Sequence, residues 1–116
     1  MKDISAVQTK PCLELSVNEV ADLIARQGAV LLDVNPRPRW ASGHLPGASN
    51  LNPNEFTADD LPSDKETTLV FYCSDTSSNA SRYAAQKATR FGYVNVFIMP
   101  AGIRGWLAAH KPVKAR

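Results

Sequence analysis

Three short apolar runs in this chain each pass, through a loop of small or polar residues, towards a helical pattern. That alternation is the strongest constraint on how the chain can fold. The runs are Ala29 to Val34 (AVLLDV), Leu69 to Tyr72 (LVFY) and Asn95 to Met99, with VFIM at its centre. Each is too short for a buried helix and too continuously apolar for a strand with one wet face, so each reads as a central strand covered on both sides. Helical periodicity stands between them. Ser16 is an N-cap with Glu19 three residues on, a capping box, and Val17, Val20, Ala21 and Ile24 follow at helical spacing up to Gly28, expected as the C′ glycine. Ala80, Ala84, Ala88 and Phe91 recur along Asn79 to Phe91, which Gly92 ends. Ile103, Trp106, Leu107 and His110 recur before Pro112. Leu13 to Leu15 is a further short strand. Strands alternating with helices predict an α/β fold: a parallel sheet with helices on both faces. Asn35 to Asn50, with three prolines and two glycines, is expected to be mostly loop and turn, Asn54 to Phe56 a helical turn, and Thr57 to Thr67 a polar linker.

The 116 residues suffice for one domain with its own core, expected over 1–116 with residues 1–11 frayed. A net charge of +2, without Lys/Arg clusters interleaved with aromatics, argues against nucleic acid. Lys111 to Arg116 is expected as a solvated tail rather than a docking element. Met1 to Val7 lacks the apolar stretch of a signal peptide and nothing approaches a membrane span. A cytoplasmic location is therefore expected, or a periplasmic one if a leader has been removed. Neither cysteine, Cys12 or Cys73, belongs to a CxxC or a Cys/His cluster, so no metal and no cofactor is expected. Cys12, beside Pro11, reads as a bystander, and nothing supports a disulfide between the two.

In a parallel sheet the ligand crevice lies beyond the carboxyl ends of the strands. Three tips meet there: Asp33 to Arg39, Cys73 to Asn79, and Pro100 to Arg104. Cys73 leaves a strand and enters a segment of small polar residues that opens a helix. Loop and helix-start N–H groups should converge on it, and such a place favours an anion and lowers a thiol's pKa. Ser74, Asp75, Thr76, Ser77, Ser78 and Asn79 are the candidate substrate-binding loop. Asp75 brings a negative charge that opposes thiolate formation and repels an anionic donor. Arg37, Arg39 and Arg104 are placed to supply positive field, and Arg37 and Arg104 join the candidate binding residues. His44 and Trp40 read as structural, Asp33 as an acceptor for loop N–H groups, Trp106 as core, and Gly102 as a turn glycine.

Three motifs in order carry a family resemblance. DVNPRPRWASGHLPGA (Asp33 to Ala48) is similar to the rhodanese pattern of Asp-Val, polar loop, aromatic and Gly-His-Ile/Leu-Pro-Gly-Ala. LVFYC with its loop and Ala-rich helix resembles the rhodanese active-site segment. GYVNVFIMPAGIRGWLAAHKPV (Gly92 to Val113) resembles the family's last strand, turn and Trp helix. The resemblance implies a five-stranded parallel sheet flanked by helices. It implies sulfur transfer through a persulfide on Cys73, from a small sulfur donor such as thiosulfate to a thiol or cyanide acceptor. Where a rhodanese loop has Gly three residues after its cysteine and often Arg five after, this chain has Thr76 and Ser78. The loop resembles an extended-loop subgroup with a second cysteine at the Ser78 position, so an internal disulfide cycle is excluded here. Family members usually carry Arg at Asn35 and often an acid at Arg39. Two rival readings follow. A Cys-dependent phosphatase needs an Arg where Asn79 stands. A non-catalytic rhodanese-like sulfur-binding or protein-interaction module fits the Arg-poor loop but not the retained Cys73.

Overall fold

The computed structural model describes residues 13–116; Cys12, its possible disulfide and the segment 1–11 lie outside the described residues. Among the described residues five strands form one wholly parallel sheet: β1 (Leu13–Glu14), β2 (Val30–Asp33), β3 (Ser49–Asn50), β4 (Leu69–Tyr72) and β5 (Val96–Ile98), in the order β1-β5-β4-β2-β3. The central register pairs Leu32 with Phe71 and Phe71 with Ile98. Parallel neighbours require crossovers, and four helices supply or follow them: α1 (Val17–Ala25), α2 (Arg37–Ser42), α3 (Ala80–Arg90) and α4 (Gly102–Ala108).

Successive residues of β4 alternate between two cores, because side chains on a strand have period two. Leu69 and Phe71 pack with Ala84, Ala85 and Ala88 of α3, together with Phe56 and Tyr93. Val70 and Tyr72 pack with Val20 of α1 and with Ile103 and Trp106 of α4. The α/β architecture expected from the alternation of patterns is the one observed.

Local departures have local causes. The Ser16–Glu19 capping box forms in full, but α1 ends at Ala25 and the left-handed residue is Gln27 (φ 54°), not Gly28. Gly28 instead closes the turn with its N–H on the Leu23 carbonyl at 2.8 Å. The stretch Asn35 to Asn50 contains α2, because Pro36 caps it and Pro38 falls in its first turn, where a missing N–H costs nothing. It also contains the edge strand β3. The turn expected at Asn54 to Phe56 is present, closed by the Glu55 and Phe56 N–H groups on the Asn52 carbonyl at 3.0 Å, and the polar linker after it also holds a 3-10 turn, Ala58–Asp60, capped by Thr57 and Asp60.

The C-terminal segment is a strap rather than a free tail. Lys114 and His44 exchange two backbone hydrogen bonds of 2.9 Å, Arg116 N–H donates to the Ala41 carbonyl, and Trp106 Nε1 donates to the Pro112 carbonyl at 2.7 Å. The positive φ of His110 (60°) turns the chain out of α4 towards α2. Among the described residues no helix is long and apolar enough to cross a membrane.

Candidate active site

Cys73 is the next inward position after Leu69 and Phe71, so β4 delivers its side chain to the α3 face of the sheet. It is 3% exposed. Its Sγ lies 3.4 Å from the Ser81 hydroxyl, 3.8 Å from the Ser78 carbonyl oxygen and 4.0 Å from the Asp75 carbonyl oxygen. These polar neighbours are oxygens, all suited to receive the thiol S–H. The N–H cradle expected from the sequence is not what surrounds the sulfur here. The loop side chains explain the difference, because Ser and Asp compete for backbone donors. Ser77 N–H goes to Asp75 Oδ1 (3.0 Å) and Ala80 N–H to Ser78 Oγ (3.2 Å), while Ser78 N–H closes a backbone turn on the Asp75 carbonyl (3.3 Å).

The start of the loop is clamped by α4. Ile103 N–H donates to the Cys73 carbonyl at 2.9 Å and Arg104 N–H to the Ser74 carbonyl at 3.0 Å. Two otherwise unpaired donors of a helix start are thereby satisfied. Gly102 makes the approach: its φ is +64°, and a Cβ there would lie 2.5 Å from the Ser74 carbonyl carbon. No other residue fits.

A second network reaches the loop from the end of β2. Arg39 Nη1 donates to Ser74 Oγ (2.7 Å), and Ser74 Oγ donates to Asn35 Oδ1 (2.8 Å). Asn35 is buried, its N–H donates to Asp33 Oδ1 at 2.8 Å, and its carbonyl accepts from Asn50 Nδ2. Asp33 thus receives the loop N–H expected of it, but its Oδ2 and the Nδ2 of Asn35 are buried with no hydrogen bond. Burial raises the Asp33 pKa above the usual carboxylate value, outweighing the opposing influence of Tyr72, Asn35 and His44. The Tyr72 hydroxyl, which accepts from Leu45 N–H, is raised by burial and by the Asp33 charge beside it.

Asp75 is not a bare charge at the sulfur. Its Oδ1 accepts the Ser77 N–H and hydroxyl, the latter at 2.5 Å, and Oδ2 lies 3.3 Å from Arg104 Nε. The Ser77 hydrogen bonds lead in lowering its pKa, with smaller help from Arg104 and Arg39. Of the sequence-predicted residues, Cys73, Ser74, Asp75, Ser77, Ser78 and Arg104 are joined by direct contacts. Thr76 and Asn79 line a cleft of about 40 Å³ with Asp75, Ser78, Ser81, Arg82, Ile98 and Pro100. Arg37 is not drawn into the loop; its guanidinium sits 5.2 Å from the centre of the Trp40 ring. Ser81, Asn35 and the Arg39 contact escaped the sequence reading. Ser81 had a signal: the buried stripe of α3 is Ser81, Ala84, Ala85, Ala88, and a hydroxyl on an otherwise apolar face marks a polar neighbour.

The model of the rhodanese-like domain family matches residues 16–109. The chain is 30% identical over 103 residues to a Haemophilus influenzae protein named thiosulfate sulfurtransferase GlpE, spanning 89% of this chain and 95% of that one. It is 29% identical over 98 residues to an Escherichia coli K12 protein named uncharacterized protein YibN, spanning 82% of this chain and 67% of that one. Among solved structures, the human single-domain sulfurtransferase TSTD1 matches with a TM-score of 0.71 at 26% identity, covering 82% of this chain and 95% of its own.

Proposed function

The chain belongs to the rhodanese-like domain family, and from that premise we propose that it is a sulfurtransferase whose Cys73 carries sulfane sulfur as a persulfide. The observation that carries this reading is the setting of Cys73. It follows the last residue of a central strand, its backbone is clamped by α4, and its Sγ neighbours Asp75, Ser78 and Ser81 line a cleft with room for about one small atom group. In the reaction with thiosulfate the Cys73 thiolate attacks the outer sulfur. The bond between the two thiosulfate sulfurs breaks, sulfite leaves with the electron pair, and Cys73 holds an anionic persulfide. A thiolate or cyanide then attacks the outer sulfur, and Cys73 leaves as thiolate. No external oxidant or reductant enters either step.

Ser81 is the positioning residue. At 3.4 Å its hydroxyl accepts from the thiol and, once the proton has gone, rotates to donate to the sulfur anion. The Asp75 and Ser78 carbonyls face the sulfur as acceptors and oppose an added anion. Loading therefore calls for the adjoining peptides to turn their N–H groups inward, the arrangement that stabilises developing negative charge.

The test is mass spectrometry after incubation with thiosulfate and a persulfide-trapping reagent. Wild type is expected to gain one sulfur and Cys73→Ser none. Ser81→Ala is expected to load roughly tenfold more slowly, the scale of one lost hydrogen bond to a charge. Equal loading of wild type and Cys73→Ser, or loading at Cys12, overturns the proposal and leaves the non-catalytic module as the reading.

A further inference from the structure

Asp75 is held more fully than a loop acid needs to be. An Asp side chain that bonds the N–H two residues on is a common turn device. Here the same carboxylate also takes a hydroxyl and a cation. Its Oδ1 accepts the Ser77 N–H at 3.0 Å and the Ser77 hydroxyl at 2.5 Å, and its Oδ2 lies 3.3 Å from Arg104 Nε. A backbone N–H, a hydroxyl and a guanidinium are the groups with which proteins bind small oxyanions. Arg104 is set against the loop by its own backbone, because its N–H donates to the Ser74 carbonyl at 3.0 Å. Arg39, whose Nη1 donates to Ser74 Oγ at 2.7 Å, adds a second positive charge that reaches Asp75. The place matters as much as the contacts. Asp75, Ser78 and Ser81 line the cleft of about 40 Å³, and each has an oxygen within 4.0 Å of Cys73 Sγ. A cleft of that size admits one sulfur atom, not the trioxide group attached to it in thiosulfate. That group has to lie on the solvent side, where the side chains of Asp75 and Arg104 are 33% and 71% exposed.

We propose that the Asp75 carboxylate is a tethered competitor of the anionic sulfur donor: it fills the oxyanion cradle made by Ser77 and Arg104, and the donor's trioxide group enters only by displacing it. The inference rests on the sulfurtransferase reading and adds the residue that sets donor affinity. Competition differs from repulsion. A bare charge acts at a distance and is screened by salt. A tethered ligand withholds particular hydrogen-bond donors, and its effect vanishes when those donors are removed. Displacement is within reach of a small dianion, because an exposed ion pair is weakly held. It also releases the Ser77 N–H, a loop donor that the carboxylate otherwise keeps from any incoming anion.

The probe is sulfate, which presents the same trioxide group and has no sulfur to transfer. In the Cys73→Ser background, NMR titrations at fixed ionic strength follow the Ser77 amide signal. Asp75→Asn keeps the turn, since its amide oxygen still accepts the Ser77 N–H, and removes the charge that holds Arg104. It is expected to bind sulfate roughly fivefold more tightly, the scale of one exposed ion pair. Asp75→Ala vacates both contacts and is expected to gain at least as much. Adding Arg104→Gln to either variant is expected to erase the gain. The α4 clamp runs through the Arg104 backbone and survives that change. With Cys73 present, Asp75→Asn is expected to lower the thiosulfate KM for persulfide loading by the same factor. Unchanged sulfate affinity in both Asp75 variants overturns the proposal. So does a gain that persists with Arg104→Gln, which makes Asp75 a plain repelling charge, or a thiosulfate KM that Asp75→Asn leaves unmoved. Failure of Cys73 to load counts against the sulfurtransferase reading alone, because the sulfate titration needs no sulfur transfer.

Discussion

A carboxylate stands at the end of β2 in a place where water does not reach it. Asp33 holds the following loop by accepting the Asn35 N–H, and Asn35 in turn holds Ser74, the residue after the cysteine. The other oxygen of Asp33 is buried without a hydrogen bond, and its folded-state pKa is raised by burial. The native state therefore binds this proton more readily than the unfolded chain does. The contribution to stability is full below the unfolded value of 3.8 and is lost as pH rises through the higher folded value. Asp33→Asn keeps the shape and removes the titration. The melting temperature of the variant relative to wild type is expected to rise between pH 4 and pH 7, measured by thermal unfolding at both pH values. An unchanged difference would mean that Asp33 carries no cost of burial. Asp33 itself was legible as a strand-end acceptor, but its orphan oxygen was not. Burial of one oxygen depends on groups brought to it from distant positions, Tyr72 among them, and no local pattern encodes that.

At the scale of elements, the decisive contact joins α4 to β4. Gly102 puts the start of α4 against the Cys73–Ser74 peptide at a distance no Cβ permits, in a backbone conformation that disfavours one. Gly102→Ala must push α4 away from the loop and loosen two hydrogen bonds. The expected cost is about 2–3 kcal/mol, the range for a side chain forced into left-handed backbone and a filled contact. Sulfur loading is expected to fall by roughly 10²-fold, the penalty for displacing a reactive group by about an ångström. Urea unfolding and the persulfide assay measure the two effects; a loaded, fully stable Gly102→Ala would show that the contact is slack. Four of the five strands, the three long helical patterns and the glycine were legible in the sequence, whereas the edge strand β3 lay in a stretch that read as loop. The sequence concealed why the glycine is needed, since the crowding atoms belong to a peptide 28 positions upstream. The helix α2 was concealed for a different reason. Prolines weigh against helix in a count of breakers, yet at a cap and in a first turn they are compatible with one.

At the scale of the whole molecule, a strap closes the described fold. The strap from Pro112 to Arg116 covers the Trp106 indole N–H, pairs with His44 and reaches Ala41, so α4 and α2 are tied across the end of the chain. Charge alone made this segment look like a solvated tail, because its bonds run through the backbone, to which composition is blind. Removing Pro112 to Arg116 is expected to destabilise the fold by about 2–3 kcal/mol, from one uncovered indole donor and three lost backbone bonds. A lowered urea midpoint at unchanged slope would show it. An unshifted midpoint would return the strap to the status of a tail. The clamp on Cys73 and Ser74 also decides where the chain tolerates insertion and deletion. An extra residue before Cys73 would move the sulfur one step along β4 and turn it to the opposite face of the sheet, away from Ser81. After Ser74 the loop is tied chiefly to itself, through Asp75, Ser77 and Ser78. Length can change there without moving the sulfur, and that is the stretch in which a fold of this kind is free to vary what it lets in.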